Sequence, residues 1–369
     1  MITASRAPSS PTHGFSAHFL GRNKKKYVRC GHTRPIRKLV MRADSSHGSL
    51  VASCSNDGWT HVSSLRDECA VIRWKMPIAG GPPWCAGWCD EFAVVVGTNR
   101  GSLHLFDLRK TGKDNGPIAT MHPFAGDSGG SGGNTGSGGS DGSGSSSGGW
   151  KKQPIVSIYP VSANGLAVMS TLHEVGTVRM WGEGHDDDDD GKGHGSSDES
   201  SSMTSSSLFS PWFKKEHGRH NMKQLLYDST SNTAVVTSST STISSFRVYS
   251  DIELSLRHGR VPPLSSHHTT PPSVLVKRPG MTTCSLQPLT TCINTRVLLG
   301  TVDEKSGGMC VIQSEQENDP TIPFEKIQKK NSSIAPVVAV MSWNLSKSRM
   351  CVMASRADGR VDVLAADHQ

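Results

Sequence analysis

The sequence predicts an all-β fold of the propeller type. Short apolar runs rich in Val, Ile, Leu and Thr recur from Lys24 onward, turn residues separate them, and no segment keeps helical spacing over three turns. The first two groups of four runs are also offset by about forty-five residues, the length of one four-stranded propeller blade.

In the first group Pro35–Met41, Leu50–Ser55, Thr60–Ser64 and Ala70–Trp74 read as strands, with Asn56-Asp57-Gly58 as the tight turn between the second and third. Asn, Asp and Gly suit that turn because the left-handed conformation is cheap for them. The second group repeats the plan with Pro83–Trp88, Phe92–Thr98, the turn Asn99-Arg100-Gly101, Ser102–Asp107 and Ile118–Met121. Later groups are Ile155–Tyr159, Leu166–Ser170 and Thr177–Trp181, then Met222–Tyr227, Thr233–Thr237, Ile243–Tyr249 and Ile252–Leu256. A fifth has Thr282–Leu286, Val297–Val302 and Met309–Gln313, and a sixth has Val337–Trp343, Cys351–Ser355 and Val361–Leu364.

Six blades can be counted over residues 23–369, and a seventh is open if it is missing from the chain or lies in Pro262–Pro279. The sixth group lacks an outer strand, and Lys24–Val28 is placed to supply it and close the ring, which would remove exposed sheet edges. Residues 1–22, rich in Ser, Pro and His without periodicity, are expected to be a disordered N-terminal segment. Two insertions are expected to be disordered as well, the Gly/Ser-rich residues 125–149 and the acidic Ser-rich residues 183–207 with Asp186–Asp190 at their centre.

Charge is divided unevenly. The chain carries +7 overall, but Glu183–Ser202 holds −7 and Ala125–Gly149 holds −2, which leaves +16 on the rest. A basic body favours acidic partners such as an acidic protein, nucleic acid or an anionic surface. The longest apolar stretches are far too short to cross a bilayer, so no membrane association is expected. Nine cysteines without a secretory signal point to a reducing compartment, nucleus or cytosol. Lys24-Lys25-Lys26 reads either as a nuclear-import signal or as a solvated strand end.

Gly31-His32 precedes the first strand of group one, and Phe106-Asp107-Leu108-Arg109 closes the third strand of group two. These match the Gly-His and Trp-Asp signatures of WD repeats, with Phe in place of Trp. By that resemblance His32 and Asp57 belong to a buried hydrogen-bond network and, with Asp107, are structural. Asp107-Leu108-Arg109 also resembles the Asp-x-Arg element by which some WD-repeat receptors dock onto cullin-ligase adaptors, although Arg at that place often pairs locally with the Asp.

Three stretches carry a closer resemblance: Gly31-His32-Thr33-Arg34-Pro35-Ile36-Arg37-Lys38-Leu39, Pro83-Trp84-Cys85-Ala86-Gly87-Trp88-Cys89-Asp90-Glu91, and Asn99 through Arg109. In content and spacing they resemble the C-terminal propeller of the RING finger and WD repeat ubiquitin ligases of the replication-stress response. The resemblance spans Tyr27–Met121 and Ile155–Trp181, and beyond that rests on strand order. It implies a nuclear protein whose propeller binds replication protein A. A RING recruits the E2 enzyme, and the ligase ubiquitinates repair proteins at stalled forks and interstrand crosslinks. A RING needs eight zinc ligands in paired Cys and His spacings, and this sequence offers no such set. The chain is therefore expected to be the substrate-binding part of such a ligase, with contact to an E2 only through a RING outside it.

The residues themselves carry no phosphate-cradling loop or His-Glu-x-x-His, so no catalytic residue, metal or cofactor is assigned. Cys85 and Cys89 read as core cysteines, and His267-His268 as exposed loop residues. The expected partner site is the rim formed by the turns between second and third strands and by the connections between blades, where Arg34, Trp59, Arg100 and Arg356 fall. Two other functions stay open, a WD-repeat scaffold of another assembly and direct binding of single-stranded nucleic acid.

Overall fold

The described strands are short, and within each sheet consecutive strands pair antiparallel. The computed structural model describes residues 2–6, 11–19, 24–42, 50–110, 116–124, 153–161, 165–180, 209–214, 221–229, 232–239, 244–270, 289–293, 296–302, 309–314, 337–346, 349–356 and 361–367. Among them the strands form six hydrogen-bonded sheets; the first, of seven strands, divides at a single parallel pair into two antiparallel parts, counted below as sheets one and two of a β-propeller.

The first sheet holds β1 (Ile2–Arg6), β2 (His13–Phe19) and β3 (Lys24–His32). The second holds β4 (Ile36–Met41), β5 (Leu50–Ser55), β6 (Trp59–Ser64) and β7 (Cys69–Lys75). These two touch edge to edge through one parallel pair, Arg29 with Cys69. The third is β8 (Pro83–Trp88), β9 (Ala93–Thr98), β10 (Leu103–Asp107) and β11 (Ala119–Met121), and the fourth is β12 (Ile155–Pro160), β13 (Leu166–Thr171), β14 (Glu174–Arg179) and β15 (Phe209–Lys214). The fifth is β16 (Asn221–Asp228), β17 (Thr233–Ser239), β18 (Ser244–Tyr249) and β19 (Leu264–Thr270), with the one described α-helix, α1 (Ile252–Arg257), between its last two strands. The sixth is β20 (Leu289–Ile293), β21 (Arg296–Val302) and β22 (Met309–Ser314), and the seventh is β23 (Val337–Ser346), β24 (Arg349–Arg356) and β25 (Val361–Asp367).

Period-two alternation explains why these runs fold as stacked sheets. In β5, Val51 enters the core between sheets one and two, while its neighbour Ala52 enters the core between sheets two and three. In β9, Val94 and Val96 face sheet two and Val95 faces sheet four. In β13, Ala167 and Met169 face sheet three, while Leu166 and Val168 face sheet five. A strand with both faces covered reads as a continuous apolar run, as Ala93–Thr98 does. The largest aromatic contact, Trp74 stacked on Phe106 at 4.8 Å between centroids, joins sheets two and three. Fully burying a side chain of that size stabilises by about 2–3 kcal/mol.

Several expectations are corrected. Within residues 1–22, expected to be disordered, the described stretches Ile2–Arg6 and His13–Phe19 are strands, and Phe15 and Ala17 are buried with Val28 and Cys30 against sheet two. The strand expected at Lys24–Val28 runs to His32 and pairs with β2. Residues 2–32 thus supply a sheet beyond the six groups expected, while Leu264–Thr270, within Pro262–Pro279, is a strand of sheet five. Ile252–Leu256 is helical, since Ile252, Ser255 and Leu256 lie on one buried face while Leu254 is exposed, a spacing of three and four. The outer strand of that sheet is β19, where His267 and His268 pair with Arg247 and Phe246. The inner strand of the sixth sheet is Leu289–Ile293, and the expected strand Thr282–Leu286 lies outside the described residues. Both insertions also lie outside them, one between β11 and β12 and the other between β14 and its outer neighbour β15. No helix among the described residues is long and apolar enough to cross a membrane.

Candidate functional site

The turn Asn56-Asp57-Gly58 closes the β5–β6 hairpin, with Gly58 at φ +85° and its N–H donating to the Ser55 carbonyl at 3.2 Å. Only glycine takes that conformation without strain. The turn brings the Asp57 carboxylate onto the segment that leads from β3 into β4. Asp57 Oδ2 accepts from His32 Nδ1–H at 3.0 Å and from the Thr33 N–H at 2.9 Å, and Oδ1 accepts from the Trp59 N–H at 3.0 Å. His32 Nε2 meets Ser53 Oγ at 2.9 Å inside β5. Burial alone would raise the Asp57 pKa, but the His32 hydrogen bond and charge, with the two backbone donors, outweigh it and hold the carboxyl at about 2.

A second imidazole completes the network. His61 Nδ1–H donates to the Cys30 carbonyl at 2.8 Å, and its ring stacks on that of His32. Burial, with His32 and Arg73 close by, pushes the His61 pKa down to about 3, so the ring is neutral near pH 7. His32 and Asp57 thus sit in one hydrogen-bond network with Ser53 and the Thr33 backbone.

Sheet three builds a different device at the same place. The turn Asn99-Arg100-Gly101 has Gly101 at φ +85°, and the Asn99 N–H donates to the Pro82 carbonyl at 3.1 Å. Beneath it Ser102 Oγ lies 2.7 Å from Thr98 Oγ1 and 2.9 Å from His104 Nε2, while His104 Nδ1 lies 3.0 Å from Thr120 Oγ1. Burial, with His122 nearby, lowers the His104 pKa to about 4. Both turns are thereby tied to the connection entering their own sheet, which pins the part of the rim that sheets two and three form.

The residues expected on that rim separate in the structure. Arg34 is exposed and free of any carboxylate among the described residues. Trp59 is half-buried, tilted 6.2 Å from His61 and paired across the hairpin with Lys75. Arg100 is engaged locally: its Nη1 donates at 3.3 Å to the carbonyls of Ile78 and Ala79, capping the 3-10 turn Ile78–Gly80. Arg356 ends β24, and its side chain lies outside the described residues. At the far end of β10, Asp107 is chelated by its own neighbour, with Arg109 Nε 3.0 Å from Oδ1 and Nη2 2.8 Å from Oδ2. That hydrogen bond lowers the Asp107 pKa, and Arg109 also lies over the Phe92 ring at 4.9 Å. The Asp-x-Arg element is thus internally paired. Lys26 of the lysine run is in strand β3, 2.7 Å from Glu68.

Sequence reasoning missed two features. Ile78, between the strands read at Ala70–Trp74 and Pro83–Trp88, is 86% exposed on the capped 3-10 turn. At the inner edges of sheets two to four, Arg37 lies over Trp84 at 4.5 Å, Lys38 over Tyr159 at 5.9 Å and Arg42 over Trp88 at 5.8 Å. Two consecutive cations in the inner strand β4 were the available signal, because a strand between two neighbours cannot bury both. Cys85 and Cys89 lie in and after β8, and burial pushes both thiols up, Cys89 further so beside Asp90. Among the described residues no three His, Cys, Asp or Glu are grouped as metal ligands.

No protein-family model matches this chain, and no curated protein matches it by sequence. Its backbone resembles a chain of the crystal structure of a mitotic checkpoint complex with a TM-score of 0.54 at 8% identity, covering 96% of this chain and 82% of that one. Because 1158 solved chains share such a likeness, it identifies an architecture and no partner. That architecture is a WD-repeat-like, all-β propeller.

Proposed function

We propose that this chain is a partner-binding propeller without catalytic machinery of its own. We further propose that it serves as the substrate-binding part of a RING-type ubiquitin ligase in the nucleus, acting in DNA repair at stalled replication forks and interstrand crosslinks. The observation that carries the binding role is the pinned rim. The Asp57 network holds one turn and Arg100 caps another, so Arg34 and Ile78 are displayed to solvent from fixed backbone. Arginine is enriched at binding hot spots, and exposed side chains held on a rigid frame lose little entropy on docking. A chain from a mitotic checkpoint complex has this fold, which supports protein partners for it. The ligase reading rests on the three stretches Gly31–Leu39, Pro83–Glu91 and Asn99–Arg109, which lie in the pinned turns and adjoining strands of sheets two and three.

The test is capture of purified replication protein A by the immobilised chain, followed across salt. Association that weakens steeply as salt rises is expected for a basic body meeting an acidic partner. Absence of capture at low salt would remove this partner. Tight binding of oligothymidine in its place would favour the direct nucleic-acid reading, which the +16 charge outside the two tracts motivates.

A further inference from the structure

Strand β4 and the residue after it supply three cations, Arg37, Lys38 and Arg42, and the inner strands of the next two sheets supply one aromatic partner to each: Trp84 and Trp88 from β8, Tyr159 from β12. From Arg37 to Arg42 the backbone advances about 16 Å at the rise of a strand. The column therefore starts beside the pinned rim and follows the inner edges of the sheets. Arg37 is exposed and Lys38 half-exposed, while Arg42 is buried, with Nη1 donating to the Glu91 carbonyl at 2.9 Å and Nε without a partner among the described residues. Arg37 Nε donates to Asn56 Oδ1 at 3.0 Å, which leaves its Nη groups unused by any described acceptor. No described carboxylate forms an ion pair with any of the three. Like charges grouped without counter-charge repel one another, and an anion entering among them relieves that repulsion while gaining charge-assisted hydrogen bonds.

We propose that this inner-edge column is the docking site for an extended acidic peptide segment of a protein partner, with its carboxylates on Arg37 and Lys38. The inference rests on the partner-binding reading above and adds the chemistry of what is bound. Charge complementarity selects an anion, and the aromatic rings select which kind. Each ring already carries a cation over one face and is half-buried, which leaves less open face for a nucleobase to stack on. Their role is to hold the cations in place, which lowers the entropy lost when a carboxylate arrives. A column of this length matches about five residues of an extended chain.

The experiment is fluorescence anisotropy of a labelled oligoglutamate peptide titrated with the whole chain. The wild type is compared with the Arg37→Gln/Lys38→Gln variant and with Arg66→Gln, which removes an exposed charge from the β6–β7 turn at the opposite end of sheet two. Saturable binding, weakened at least about tenfold in the double variant and unchanged in Arg66→Gln, is expected from the loss of charge-assisted hydrogen bonds. Trp84→Leu, which leaves both cations but removes a ring holding one, is expected to weaken binding less, with the melt confirming that each variant is folded. Equal weakening by Arg66→Gln would reduce the effect to overall charge and overturn the proposal. So would oligothymidine displacing the peptide with higher affinity, or no peptide binding at all. If replication protein A is still captured by the double variant, the column is wrong and the proposed function stands.

Discussion

The imidazoles of His32 and His61 lie face to face, 3.9 Å apart between centroids and 7° from parallel. One belongs to the last residue of β3, in sheet one, and the other to β6, in sheet two. Asp57 answers the first and the Cys30 carbonyl answers the second, so the stack joins two sheets through four polar groups and no solvent-exposed ring. Its energetic weight can be read from Asp57.

Asp57→Ala removes the acceptor for His32 and for two backbone donors, and is expected to cost about 2–3 kcal/mol, the range for hydrogen bonds to a charged group. Asp57→Asn should cost less, because the amide oxygen still accepts. Urea unfolding of both variants measures this. A loss below about 0.5 kcal/mol for the alanine variant would mean that the turn holds itself.

Acid should destabilise the propeller earlier than carboxylates alone would. His61 and His104 titrate near 6.5 when unfolded but at about 3 and about 4 when folded. A lowered folded pKa means that the unfolded state binds protons first, so the stability present above pH 6.5 is lost as pH falls toward those values. Asp57, at 3.8 unfolded and about 2 folded, adds a further loss below pH 3.8 with the same sign. The melting temperature should therefore fall steadily between about pH 6.5 and about pH 4.5. A flat profile there would show that these imidazoles gain their protons without cost.

Deleting residues 125–149 and 183–202 is expected to leave the melt within a few degrees of the parent. Phe124 and Gln153 both lie against Gly101, close enough that a β-carbon at that position would touch each of them, so a short linker rejoins the first gap. Val178 and Phe209 are paired in neighbouring strands, so a hairpin loop rejoins the second. Loop shortening of this kind changes stability only logarithmically with length. A fall of more than about ten degrees would mean that the tracts are packed.

Ile78→Asp should leave the melting temperature unchanged, since the side chain is 86% exposed, yet weaken partner capture by about tenfold or more if Ile78 is an anchor. Arg100→Glu should give a milder loss through release of the 3-10 turn. Full capture by the folded Ile78 variant would move the contact away from this rim.

With E1, E2 and ubiquitin, the isolated chain should form no ubiquitin ladder above an E2-only control, because the sequence offers no paired zinc-ligand set to hold an E2. A ladder would overturn the division of labour proposed for it.

The blades of the first half were legible because each signal had one physical meaning. Asn56-Asp57-Gly58 and Asn99-Arg100-Gly101 required left-handed glycines, and both are present at φ +85°. Gly31-His32 located a buried histidine, and Asp57 is its partner. What stayed hidden depended on tertiary contact. The alternation of Phe15 and Ala17 spans too few residues to stand out until sheet two is there to cover it. Ile252–Leu256 was read as a strand and is helical, because a run of five apolar and polar residues fits either period. Arg100 was expected to face a partner, and the acceptors that engage it, the Ile78 and Ala79 carbonyls, lie more than twenty residues away in the chain.

Because Val51 and Ala52, Val94 and Val95, or Ala167 and Val168 serve different cores, each of sheets two, three and four is a shared wall between two rooms. Cutting the chain after Met121 would leave Val95, Leu103 and Leu105 facing water, and starting it at Ile155 would do the same to Ala167 and Met169. Truncation mapping of a partner site, the usual first experiment on a repeat protein, would then report loss of folding as though it were loss of binding. Point substitutions at exposed positions such as Arg37 and Ile78 are the dissection this molecule permits.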